Sequence, residues 1–150
     1  MDQSRTRTTQ GRSTAQIVTM VIALVFVLVG LLGFIPGITT NFDTMTFAGH
    51  HSDAMLLGIF KVSVLHNIVH LLYGIVGFLM ARSARGSVTY LITGGAIYFV
   101  LWVYGLLIDF DSTANFVPLN DADNWLHLGL AVGMIVLGAV FSRGARRVAR

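Results

Sequence analysis

Two stretches place polar side chains with ligating chemistry inside otherwise apolar sequence. In LHNIVHLLYGIVGFLM, Leu65 to Met80, they are His66, Asn67 and His70. In NDADNWLHLGLAV, Asn120 to Val132, they are Asp123, Asn124 and His127. His66 and His70 are an i, i+4 pair, as are Asp123 and His127, so each pair shares one face of a helix. Three chemistries are open to such a set. The imidazoles can hydrogen-bond to Asn67, Asn124, Asp123 and nearby carbonyls as a structural polar layer that includes Ser63, pinning the register of two helices. This is the preferred reading, since buried polar groups are mostly satisfied rather than ligating. Alternatively, His66, His70, His127 and Asp123 supply donors suited to a divalent metal such as Zn²⁺, Fe²⁺ or Mn²⁺. With an open position and activated water, and with Ser63 beside it, such a centre would hydrolyse a lipid-borne substrate. A haem b held between His66 or His70 and His127 is the third and least favoured option.

The elements that position these residues follow from composition. Of the 150 residues, 55% are hydrophobic, more than the surface-to-volume ratio of a soluble domain this size accommodates. There is no glutamate and no cysteine, so disulfides and thiolate ligands are excluded. The formal net charge is +3, but no soluble basic face is present, and nucleic acid is not an expected partner. Four apolar runs, at about 17–35, 62–81, 88–108 and 124–141, each approach the ~20 residues that cross a bilayer. The first follows a basic flank, yet it is too long for a signal-peptide core and lacks a small-x-small cleavage site, so a retained helix is expected.

Arg5, Arg7 and Arg12, then Arg82 and Arg85, then Arg143, Arg146, Arg147 and Arg150 fall on one side of a four-span arrangement, with Lys61 on the other. All aspartates except Asp2 fall on the side of Lys61. The basic side is expected to be cytoplasmic. The sequence therefore predicts an all-α, antiparallel four-helix transmembrane bundle with both termini in the cytoplasm. Basic tails over 1–15 (flexible) and 143–150 flank a membrane domain over 16–142. The outer segment SDAMLLGIFK, Ser52 to Lys61, predicts a short interfacial helix leading into the second span. Asn120 is an expected N-cap, with Asp121 and Asp123 in the first turn that follows.

At helical spacing, Ser63, His66, Asn67, His70, Gly74 and Gly77 form one stripe on the second span. Thr19, Ala23, Gly30, Gly33 and Gly37 form one on the first. Gly94, Tyr98, Trp102, Gly105 and Asp109 lie along the third, and Asn120, Asn124, His127, Ala131, Met134 and Gly138 along the fourth. These stripes are expected to meet, because close approach at small residues drives helix association in lipid. Gly129 and Gly133 lie off the stripe and are expected to pack within the subunit, a homodimer contact being the alternative. Trp102, Tyr104, Phe116 and Trp125 read as interfacial anchors and packing. His66 would lie roughly 7 Å inside the outer surface and His70 about 6 Å deeper, with His127 about 6 Å beyond Asp123. The inner half offers no imidazole or acid, which argues against a complete transmembrane proton or ion path within one subunit.

The segments LLGIFKVSVLHNIVHLLYGIVGF, YFVLWVYGLLIDFD and NFVPLNDADNWLHLGLAVGMI together resemble an uncharacterised family of small four-span bacterial membrane proteins. That family is found chiefly in actinobacteria and is catalogued as a domain of unknown function. The resemblance covers about residues 17 to 141, and H-N-x-V-H and D-N-W-L-H are its most distinctive pieces. It implies a four-helix plasma-membrane protein without an assigned reaction, substrate or cofactor. The expectation is thus a structural or accessory membrane protein with no cofactor, the question of enzymatic activity being left open with a leaning against it. Its partners would be the bilayer and either a homo-oligomer or a larger membrane complex.

Overall fold

The computed structural model describes the backbone of residues 11–148 and the side chains of 11–143. Four helices account for most of it: α1 (Thr14–Leu32), α2 (Val64–Met80), α3 (Ala84–Leu107) and α4 (Asp121–Val148). Each begins at a residue whose side chain satisfies an orphan backbone donor of the first turn. Ser13 and Gln16 form a reciprocal capping box, Ser63 Oγ accepts from His66 N at 3.1 Å, and Ser83 Oγ accepts from Gly86 N at 3.0 Å. Asn120 Oδ1 accepts from Asp123 N at 2.9 Å. By length and composition α1, α3 and α4 are long and apolar enough to cross a membrane. With 17 residues, α2 is shorter, roughly 26 Å.

The helices associate as two close pairs, α1 with α2 and α3 with α4, and these pack on each other. Gly74 shows why the first pair is close. A Cβ there would stand 2.7 Å from the Ala23 carbonyl oxygen and 2.9 Å from the Val27 nitrogen, so the two backbones touch. Gly95 does the same against Ala131 and Ile135 of α4. Gln16 Nε2 donates to the Ala81 carbonyl at 3.0 Å, which joins the start of α1 to the end of α2 and makes them antiparallel. Gly105 abuts Asn124 while Gly138 abuts Ile92, so α3 and α4 are antiparallel too. Between the pairs lies an aromatic core in which Phe26 stacks on Tyr98 (centroids 5.6 Å apart) and meets Tyr73 edge-on at 4.8 Å.

The buried positions of α2 are His66, Asn67, His70, Gly74 and Gly77, and those of α4 include Asn124, His127, Ala131, Met134 and Gly138. Outward lie Val21, Leu24, Leu28, Leu72, Ile75, Val100, Val132 and Val136, an apolar perimeter far beyond what a water-soluble monomer exposes. Gly129 and Gly133 also face outward with nothing of this chain within 4 Å of a Cβ, so they do not pack within the subunit as the sequence suggested.

The expected interfacial helix over Ser52 to Lys61 is replaced by β-structure. Strands β1 (Thr39–Thr40), β2 (Met55–Leu56) and β3 (Phe60–Lys61) form a small antiparallel sheet in the order β1-β2-β3. The turn between β2 and β3 has Leu57 at φ 55° and Gly58 at φ 70°, left-handed values that a helix does not tolerate. Ala54, Leu56 and Val62 point inward against Val29 and Leu32 of α1, so the segment buries alternate residues instead of a helical face. The loop over 108–120 folds around fully buried Asn115. Its Nδ2 donates to the Phe110 and Leu119 carbonyls at 2.9 and 3.0 Å, while its Oδ1 accepts from Leu119 N at 2.8 Å. Asn115→Ala is expected to destabilise the protein by about 2–3 kcal/mol. It should also open 110–119 to limited proteolysis, and an unchanged cleavage rate would count against this hub. Gly49 N donates to the Phe116 carbonyl at 2.6 Å, and the two loops thereby cover one end of the helices together. At the other chain ends α4 continues past Phe141 to Val148, so the start of the expected basic tail is helical. Residues 1–10 of the expected N-terminal tail lie outside the described residues.

Candidate functional site

Beneath the loops, α2, α3 and α4 surround a cavity of about 180 Å³. From α2 it is lined by His66, Val69 and His70, from α3 by Tyr98, Leu101 and Tyr104, from α4 by His127, and from the second loop by Phe116, Val117 and Leu119. All three imidazoles are more than nine-tenths buried. His66 and His70, one turn apart on α2, approach each other at 2.9 Å between their Nε2 atoms, so one ring donates to the other's lone pair. His70 rests on Phe26 at 5.6 Å between centroids, and His127 rests on Tyr98 at 5.2 Å. The aromatic core thus forms the floor below the imidazoles. The backbone carbonyls of Lys61 and Pro118 lie beside the His66 ring. Even so, the Nδ1 atoms of His66, His70 and His127 meet no hydrogen-bond geometry among the described residues.

The other polar residues singled out from the sequence serve different positions. Asp123 is the third residue of α4, and its Oδ2 accepts from Asn120 N at 3.1 Å, completing a capping box with Asn120. The same oxygen accepts from Lys61 N at 2.9 Å, while Asn120 Nδ2 donates to the Ile59 carbonyl at 2.8 Å. The carboxylate therefore bolts α4 to the hairpin before α2. Ser63 caps α2 and has its oxygen engaged by His66 N. The Asn67 side chain turns to the end of α1, where Gly33 makes room for it, and its Nδ2 lies 3.9 Å from Met45 Sδ. Asn124 turns to Gly105 of α3. His66 and His70 accordingly pair with each other, His127 lies against Tyr98, and none of the three bonds Asn67, Asn124 or Asp123. One residue along a helix rotates the side chain by ~100°, enough to send Asn67 and His66 to different neighbours.

The backbone donors Lys61 N and Asn120 N both engage Asp123 Oδ2, which directs the carboxylate to the hairpin and the start of α4. Among the described residues no group of three His or Asp side chains is placed to hold a metal ion. The cavity is smaller than the roughly 300–1,000 Å³ of common ligand pockets, and short of what a porphyrin occupies. The His50 and His51 rings meet at a tilt of 42°, centroids 3.8 Å apart, in the first loop and do not line the cavity; the His50 carbonyl instead accepts from Lys61 Nζ at 2.8 Å.

Sequence reasoning passed over three contributors. Tyr104 and Phe116, read as interfacial anchors, form the cavity wall, and the Tyr104 hydroxyl donates to the Ala114 carbonyl to hold the loop in place. Asn115 carried a usable signal, an asparagine inside a loop rich in Asp, Ser and Pro, where such side chains bond local backbone.

No curated protein and no solved structure matches the chain. Residues 16–140, well over half of the sequence, match the family described as Domain of unknown function (DUF4383), and the protein belongs to that family.

Proposed function

We propose that the chain is a four-span integral protein of a bacterial plasma membrane, with both termini cytoplasmic and the two loops outside. Its role is structural or accessory to a membrane assembly, with the imidazoles forming a buried polar layer in the outer half. One asymmetry carries this reading: among the described residues, arginines and carboxylates occupy opposite ends of an apolar perimeter, with Lys61 at the carboxylate end. Arg12 and Arg82 border a common recess where α1 begins and α2 ends, and Arg85 and Arg143 belong to the same end by chain order. Asp43, Asp53, Asp109, Asp111 and Asp121 belong to the loop end. Retention of Arg on the cytoplasmic side orients such a chain. In this reading α2 crosses with its first turn beneath the loops, where Ser63 and the carbonyls of Thr46 and Phe47 satisfy its leading N–H groups. An accessory role accords with the buried imidazoles and carboxylate lying on the loop side of the aromatic floor among the described residues, since a conducting path needs titratable or charged groups through the full depth.

The chain contains no cysteine, so single-cysteine variants report without background. Asp111→Cys should react with a membrane-impermeant maleimide on intact cells. Arg85→Cys should react only after permeabilisation. The reverse pattern, or equal labelling of both, would contradict the topology.

A further inference from the structure

We infer that the recess where α1 begins and α2 ends binds the phosphate headgroup of an anionic phospholipid, an assignment that rests on the membrane orientation proposed above. Arg12, Gln16 and Met20 line the recess from the α1 side, and Phe78, Ala81 and Arg82 from the α2 side, around a volume of about 300 Å³.

Charge comes first. The chain has no glutamate, and among the described residues every aspartate belongs to the loop end. The ion pair formed among those residues joins Lys61 to Asp53 there. No described carboxylate therefore neutralises Arg12 or Arg82, and both side chains are exposed. The last carbonyls of α2 are already engaged. Those of Leu79 and Met80 accept from Arg82 N and Ser83 N at 3.4 Å, and that of Ala81 accepts from Gln16 Nε2 at 3.0 Å. Two guanidinium groups, one beside each helix, thus border a common recess, and the anion they complement comes from outside the described chain. Their planar forks match phosphate oxygens bidentately.

Polarity along the helices selects a lipid over a soluble anion. Met20 lies one turn beyond Gln16 on α1, and Phe78 one turn before Arg82 on α2, each about 6 Å nearer the bilayer centre. Phe78 is 39% exposed and adjoins Ile75 and Leu79 of the apolar perimeter, themselves about half exposed. The recess is therefore charged at its mouth and apolar one turn in, the order of headgroup and acyl chain in a phospholipid. Anionic lipids populate the cytoplasmic leaflet, and basic pockets between membrane helices on that side hold their headgroups. A free phosphate would gain nothing from Met20 and Phe78.

The test uses the full chain, delipidated in a neutral detergent and titrated with phosphatidylglycerol or with phosphatidylcholine of the same acyl chains. Native mass spectrometry counts the bound lipids. One phosphatidylglycerol per chain is expected to bind at least about tenfold more tightly than phosphatidylcholine, and inorganic phosphate should not displace it. Arg12→Gln combined with Arg82→Gln should abolish that preference, with helical circular dichroism unchanged because both positions are exposed. Arg85→Gln combined with Arg143→Gln removes the same charge from the same end and should leave the preference intact. Equal binding of the two lipids by the unaltered chain would overturn the assignment, as would a preference that survives Arg12→Gln with Arg82→Gln. An equal loss in the Arg85 and Arg143 pair would overturn it by showing diffuse attraction, and displacement by inorganic phosphate by showing a soluble-anion site. The titration has no sidedness, so cysteine labelling separates the two failures. Reversed labelling with the lipid preference intact refutes the orientation, whereas the expected labelling without a preference refutes the site.

Discussion

Asp123→Ala is expected to lower the unfolding free energy by about 2–4 kcal/mol, the sum for two partly buried backbone donors left without an acceptor. Those donors are Lys61 N and Asn120 N, at 2.9 and 3.1 Å from one carboxylate oxygen of a side chain that is almost fully buried. The first belongs to β3 and the second to the cap of α4, so the substitution loosens the joint between the hairpin and α4 as well as the helix end. Asn120→Ala removes the reciprocal half of the cap and the bond to the Ile59 carbonyl, and should have a smaller effect, about 1–2 kcal/mol. Thermal or denaturant unfolding in nanodiscs, followed by circular dichroism, measures both. A loss below about 0.5 kcal/mol for Asp123→Ala would mean water or other groups replace the carboxylate, as at an exposed site.

Gly74 provides the second large effect. Its missing Cβ would fall on the backbone of α1, 2.7 Å from the Ala23 oxygen, and backbone cannot rotate aside as a side chain does. Gly74→Ala must push α1 and α2 apart, for an expected loss of about 1–3 kcal/mol, and Gly74→Val should lose more. Gly133 on α4 is the internal control, since a Cβ there meets nothing within 4 Å. Gly133→Ala is expected to be neutral or to stabilise by up to about 1 kcal/mol through helix propensity. Equal destabilisation at Gly74 and Gly133 would show that the α1–α2 contact is looser than drawn, or that the outward face of α4 is itself packed against a partner.

Much of this was legible in the residues. The inward stripe of α2 could be read from polar and small residues recurring at helical spacing, because lipid leaves few other places for them. What spacing could not give was ring orientation. The i, i+4 interval places His66 and His70 on one face, but the same interval suits a shared metal, separate carbonyl partners or the ring-to-ring pairing found. Asp123 illustrates a competition between two signals. D-x-x-x-H at matching depth suggested a ligand, while N-x-x-D ahead of an apolar run is also a capping box, and the nearby backbone donors took the carboxylate. The hairpin was hidden for another reason. A run as short as MLLGIF has no decisive period, and the left-handed turn at Leu57–Gly58 depends on Leu56 and Val62 finding the end of α1. Tyr104 and Phe116 read as anchors and packing, and only the fold of the 108–120 loop shows that both also line the cavity.

The central claim is that two imidazoles from α2 are paired within a cavity closed by α3, α4 and the outer loops. ¹⁵N NMR of histidine-labelled protein in nanodiscs tests it directly, with His50→Gln and His51→Gln removing the loop signals. The account predicts two neutral rings of opposite tautomer joined by a coupling across the Nε2–H···Nε2 hydrogen bond, lost in His70→Phe. Two rings in the same tautomer, uncoupled and exchanging freely with bulk water, would contradict it.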